Sequence, residues 1–234
     1  DLKYLKDNNI KPLQGWEYHA FNFLRTLNSF FGLGVLIAGI AVFMSDIVSG
    51  ECTPATLKFL LVQPVKRGKI LLSKFIVSVI TVLSLILIPQ LVGMTVVNMT
   101  SNVDASDYPV RIEQKYEKVF DQGSGEMIMK QIPDTSKMVT NNESAVRTIG
   151  YQALFILSAC SVIFMISTIF KSSMISMAVS VISTIFLAIG TQAISSIRDI
   201  SHLLFTTYAD AGSLVTSDLA LMYQNPKLTT TNGI

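Results

Sequence analysis

The chain has 234 residues, half of them apolar and only 15% charged, far below the roughly 25% charged residues of a typical soluble domain. That balance marks an integral membrane protein. A net charge of +2, with basic residues beside apolar stretches instead of along one polar face, excludes a nucleic-acid binder. Two cysteines without metal-ligand spacing, Cys52 and Cys160, exclude a disulfide framework.

Residues 1–26 are polar and mixed in charge. Trp16, Tyr18, Phe21 and Phe23 gather near their end, where aromatic rings favour the headgroup level. Residues 27–46 read as a transmembrane helix, since no charge falls between Thr26 and Ser45 and a crossing needs about 20 apolar residues. Gly32, Gly34, Ala38 and Gly39 let helices approach closely in lipid, and packing is preferred to a glycine-lined substrate path.

Residues 47–69 form a basic loop with a short helix of its own. Thr53 suits the cap and Pro54 the first helical position. Leu57, Leu60 and Leu61 share one face, and Gln63-Pro64 ends the helix, because the residue before proline leaves the helical region. Lys58, Lys66, Arg67, Lys69 and Lys74 outnumber Asp46 and Glu51 around it, so the loop is expected in the cytoplasm.

Residues 70–97 read as a second transmembrane helix, with a kink expected at Pro89-Gln90 and Gly93. Residues 98–147 change character, with eight acidic and six basic residues and Pro109, Pro133, Gly123 and Gly125 as punctuation. They are expected to form an external loop or cap. Within them, Ile112, Tyr116 and Val119 or Phe120 at helical spacing predict one amphipathic helix over 110–120. Its place on the membrane surface or over an outer mouth stays open, with packing on neighbouring loops preferred.

Residues 148–170 and 174–197 read as a helical hairpin around a cytoplasmic turn at 171–173. Lys171 in that turn agrees with the side counted from the basic loop. Ser173, Ser176, Ser180, Ser183 and Thr184 give the last span a hydroxyl-bearing face. Hydrogen bonding across helices, at about 1 kcal/mol or less per contact, is preferred there to a polar substrate path. A weak substrate path would use Ser176, Ser180, Ser183, Pro89 and Gln90. Residues 198–234 are polar and expected outside.

The basic loop carries a resemblance. Glu51, then Thr56-Leu57-Lys58-x-Leu60-Leu61, then Gln63-Pro64-Val-Lys66-Arg67-Gly-Lys69 resembles the first cytoplasmic loop of ABC-2 type permeases. The likeness covers about 30 residues, with Pro54 and Ala55 standing where that family usually has an acidic residue and a glycine. It implies an all-α membrane fold, four visible transmembrane helices of a six-helix permease with further spans upstream and downstream. It also implies a bacterial cell-membrane location, a second permease subunit and a cytoplasmic ATPase holding ATP and Mg. Glu51, Thr53, Pro54, Thr56, Leu57, Lys58, Leu60, Leu61, Pro64, Lys66 and Arg67 would then couple the ATPase to the spans. The competing reading is a surface helix resting on anionic lipid.

Catalysis by this chain is not expected. No Gly-x-x-x-x-Gly-Lys-Ser/Thr loop occurs, so ATP chemistry belongs to a partner. His19 and His202 lack metal-ligand partners, and Asp199, Ser201 and His202 in a short run do not make a triad. No ionisable residue lies in the middle of a span, which disfavours ion-coupled transport. Export of an amphipathic substrate is expected, and the alternative is a non-transporting sensor or scaffold with an external ligand-binding segment.

Overall fold

The computed structural model describes residues 2–8, 10–14, 16–49, 66–101, 103–121, 123, 125, 127–170 and 172–230. Its frame is set by helices too apolar to stand in water. Among the described residues three are long and apolar enough to cross a membrane: Gly68–Ser101, Asn141–Ile169 and Ser173–Thr191. They belong to α4 (Arg67–Ser101), α5 (Asn141–Ile169) and α6 (Ser173–Ala193). α4 runs through Pro89 as one helix.

The expected first span differs. A short helix α1 (Leu2–Asp7) is followed by α2 (Ala20–Phe30), a π turn (Phe31–Val35) and α3 (Leu36–Ser49). Gly34 breaks the helical path with φ 90° and ψ −6°, a conformation open to glycine because it has no Cβ. The apolar part of α3, Leu36–Ser45, is shorter than a crossing helix. Gly32 has a different use: a Cβ there would come 2.6 Å from the Cβ of Asp210. Only a glycine lets the C-terminal segment press against the turn.

α3 packs chiefly on α5 and α6, and α4 packs on α2 and α5. The main core joins Ile37, Ile40 and Met44 of α3 to Val79 and Val82 of α4 and to Ile156, Ala159 and Ile163 of α5. At the end of α3, Ser49 N–H donates to Ser167 Oγ near the far end of α5 at 3.4 Å, and Ser167 Oγ donates to Ser45 O at 2.7 Å. The start of α4 lies beside the same end of α5, with the Phe75 and Phe164 rings 5.1 Å apart, so the end of α3, the start of α4 and the end of α5 share one end of the bundle.

At the other end sits a cap. β1 (Pro109–Ile112) pairs antiparallel with β4 (Lys137–Thr140), and β2 (Tyr116–Phe120) pairs antiparallel with β3 (Met127–Gln131). The two ribbons form one long hairpin interrupted midway. There Gln114 Nε2 donates to Ile132 O at 3.0 Å and Ile132 N–H donates to Lys115 O at 3.0 Å. The helix expected over 110–120 is thus two strands. Glu113 turns left-handed, with φ 57°, which no helix interior tolerates, and Val110, Ile112, Tyr116, Val119 and Phe120 are strand-favouring types.

The C-terminal segment completes the cap through α7 (Ser195–Asp199), 3-10 turns at Ser201–Leu203 and Phe205–Ala209, α8 (Ala211–Thr216) and α9 (Asp218–Met222). A second core of Leu214, Leu219, Tyr223 and Leu228 packs with Tyr116, Met129 and Tyr151. Asn225 ties it together, its Nδ2 donating to Arg198 O at 3.1 Å, Asp199 O at 3.2 Å and Ser201 Oγ at 3.0 Å.

Candidate functional site

Most residues expected to couple to a partner, from Glu51 to Pro64, lie outside the described residues. Lys66 is exposed just before α4, and Arg67 is its first residue. The other expected set does not converge. Ser176 and Ser180 are fully buried on the face of α6 that packs on α3 and α5, with Thr184 Oγ1 bonded to Ser180 O at 2.7 Å. Ser183 is half-buried and bonds to the same carbonyl. Gln90 is buried on α4 in line with Val82 and Ile86, while Pro89 beside it is exposed. Gly93, one turn further along, would strike the Phe23 ring of α2 at 2.6 Å if it carried a Cβ. Gln90 therefore belongs with α2, and the serines belong with α3.

Among the described residues, three buried amides interrupt the apolar interior: Asn28 on α2, Gln90 on α4 and Gln152 on α5. Both polar atoms of Gln90 and Gln152, and Oδ1 of Asn28, have no hydrogen-bond partner among the described residues. Gln90 and Gln152 each lie about three turns from the outer end of their helices. An unpartnered buried polar group costs about 1–3 kcal/mol, so these amides are expensive where they stand.

Directly above them, the cap and the outer helix ends enclose two adjoining cavities. The inner one, about 50 Å³, is bounded by Leu24 and Arg25 of α2, Ala145 and Thr148 of α5, and Gly212 of α8. Asn28 and Gln152 lie one helical turn below Leu24 and Thr148. The outer cleft, about 530 Å³, adds Glu17, Tyr108, Arg111, Tyr116 and Asp218. His19, Asn22 and Arg25 line both.

The electrostatics follow from burial. His19 is 8% exposed and its Nδ1 has no partner among the described residues. Burial holds its pKa below the ordinary value, so the ring is neutral at pH 7. Tyr116 is raised by burial first and by the Asp218 carboxylate second. Asp218 accepts from Thr216 Oγ1 at 2.6 Å. Beneath the cleft, Glu113 bonds Lys137 at 2.8 Å and Arg147 at 2.9 Å, and Arg147 also bonds Glu143 at 2.7 Å. Glu113 N–H donates to Val215 O at 3.3 Å. One residue thereby fastens the hairpin to α5 and α8. No group of three or more His, Cys, Asp or Glu suited to a metal occurs among the described residues.

Sequence reasoning passed over His19, Arg25, Asn28 and Gln152 as site residues. Asn28 and Gln152 carried a readable signal, an amide inside an apolar run. His19 and Arg25 carried none, because the fold alone brings them beside Asn141 and Thr216.

A bundle of membrane-length helices with a polar cap on one end defines a membrane protein, and the comparisons supply the family. The chain belongs to the family described as protein of unknown function (DUF2705), whose model matches residues 4–229. No curated protein and no solved structure matches it. The resemblance to ABC-2 type permeases is corrected by this result. The family match runs along nearly the whole chain, whereas the resemblance rested on one loop. An amphipathic helix followed by Gln-Pro and basic residues suits any interfacial segment between two spans, so its motif alone does not define that family.

Proposed function

We propose that this protein is a membrane-embedded permease subunit of an exporter driven by a separate cytoplasmic ATPase, which supplies the ATP and Mg chemistry. The observation that carries the reading is the division of the molecule between its two ends. Ser49 meets Ser167 where the basic loop leaves α3, and the first turns of α4, which follow Lys66 and carry Lys69 and Lys74, lie against the same end of α5. Short basic loops stay on the cytoplasmic side, which supports a hairpin cap on the outside.

The α2–α3 segment runs from the outer cavities at His19 to the inner end at Ser49. That course supports a fourth crossing with a broken middle, of the kind that lines transport sites. In the loop, Leu57, Leu60 and Leu61 fill an apolar groove on the ATPase, and Lys58, Lys66 and Arg67 set its orientation. Exposed apolar side chains such as Val77 and Leu85 on α4, and Ile182 and Phe186 on α6, meet lipid or a second permease subunit.

The test is purification of the full-length protein from its host in mild detergent. A stoichiometric ATPase, lost when Leu57 and Leu61 are both changed to Asp, is the expected result. An intact protein with no ATPase refutes the reading and favours the second one, a non-transporting sensor. That second reading is supported by the outer cleft, whose volume of about 530 Å³ is that of a ligand site.

A further inference from the structure

The inner cavity lies at the start of two long helices. α2 contributes His19, Phe21 and Asn22 from its first turn, and α5 contributes Asn141, Ser144 and Ala145 from its own. The first N–H groups of a helix have no carbonyl partner within it, and the aligned peptide dipoles make that end partly positive. At α5 the end is already served: Thr140 Oγ1 accepts from Glu143 N–H, and the Glu143 carboxylate sits in the first turn. At α2 it is not. The cap residue His19 gives no side-chain hydrogen bond to the turn that follows, and that turn holds no acid.

Charge points the same way. Arg25 is the one charged side chain among the described residues lining the inner cavity. His19, buried and with Nδ1 unpartnered among the described residues, lines the same cavity. Among the lining residues acids appear only in the large cleft, where Glu17 and Asp218 stand with Arg111 and the rings of Tyr108 and Tyr116; the Asp210 carboxylate behind Gly212 is taken up by Ser213 N–H and Oγ–H. Polarity thus runs from a positive inner pocket of about 50 Å³ to an outer cleft of about 530 Å³ that holds both signs.

We propose that the two cavities bind a zwitterionic amino acid or short peptide from outside. The ligand's carboxylate sits in the inner cavity against the start of α2 and Arg25, and its ammonium points outward to Glu17 and Asp218. A carboxylate there accepts from helix N–H groups and from the Arg25 guanidinium, the arrangement by which helix N-termini hold anions. The outer cleft, some tenfold larger, takes the remaining residues of a peptide. This assignment needs the outer face only and stands whether the protein transports or senses.

Triglycine is the probe. The full chain in phosphatidylcholine nanodiscs, with no ATPase present, is titrated calorimetrically at pH 7 with triglycine, triglycinamide, N-acetyltriglycine and inorganic phosphate. Saturable binding of triglycine is expected, weakened about tenfold or more by amidation or by Arg25→Gln, as for loss of a charge-assisted hydrogen bond. Acetylation or Asp218→Asn is expected to weaken it less, by about threefold. Arg25 is exposed, so the variant should keep its fold, which circular dichroism checks; the amidated peptide makes the same comparison on the unchanged protein. No saturable peptide binding, equal binding of triglycinamide, or full affinity in folded Arg25→Gln overturns the proposal. Phosphate displacing triglycine at equal concentration overturns the peptide assignment in favour of a plain anion site.

Discussion

Asn225 in the cap and Gln152 in the bundle are both buried amides, and they are treated oppositely. Asn225 spends its Nδ2 on three acceptors and its Oδ1 on Lys227 N–H. Gln152 has no partner for either polar atom among the described residues. The cap is built of short turns whose backbone groups need side-chain partners, so an amide there acts as a connector. The bundle's helices satisfy their own backbones, so an amide added there finds nothing left to bond. The cap therefore adds directed polar contacts to its small apolar core, whereas the bundle is held chiefly by shape.

Substitutions can break this contrast. The largest effect is expected where the two regions touch: Gly32→Val forces a side chain into Asp210 and should cost about 3 kcal/mol by overpacking, read as a lowered melting temperature in detergent. Asn225→Leu comes next, at about 2–3 kcal/mol, since several backbone partners lose their bonds at once. It should melt the cap, seen in tyrosine near-ultraviolet dichroism, before the helices.

A smaller effect is set by pH. Glu113 is held below its ordinary pKa, first by the Lys137 hydrogen bond and then by attraction to Lys137 and Arg147, against its partial burial. Because the folded value is the lower one, its stabilisation is complete above the unfolded pKa of a glutamate. It is lost as pH falls through the folded value. Solvent screening limits it to about 1 kcal/mol or less. Cap melting should therefore drop on acidification below about pH 5, and Glu113→Gln should flatten that drop. The smallest effect is expected at Gln152→Leu, neutral or slightly stabilising, because an unpaired polar group is replaced by an apolar one. A loss there as large as at Asn225 would mean that the amide has a partner in the working protein, and would erase the contrast.

The long spans were legible because hydropathy needs no partner to be read: the uncharged runs around Val82, Ile156 and Ser180 became α4, α5 and α6. The first span was legible only in outline, since Gly34 looked like a packing residue and proved to be the break. The hairpin was misread as a helix for a definite reason. Ile112, Tyr116 and Val119 have helical spacing along the chain, yet Glu113 reverses the backbone between them, and a left-handed glutamate has no signature in sequence. The cavities were out of reach for another reason. Their lining comes from α2, the hairpin, α5 and the last helices, residues that only the fold brings together.

The two-ended arrangement is best tested by where each end can be reached. In a background with Cys52→Ser and Cys160→Ala, single cysteines at exposed Lys130 on β3 and exposed Lys66 before α4 are exposed to a membrane-impermeant maleimide in intact cells. Labelling at position 130 without permeabilisation, and at position 66 only after it, is the result predicted for a cap outside and a docking loop in the cytoplasm. The reverse pattern, or labelling of both from one side, would contradict it.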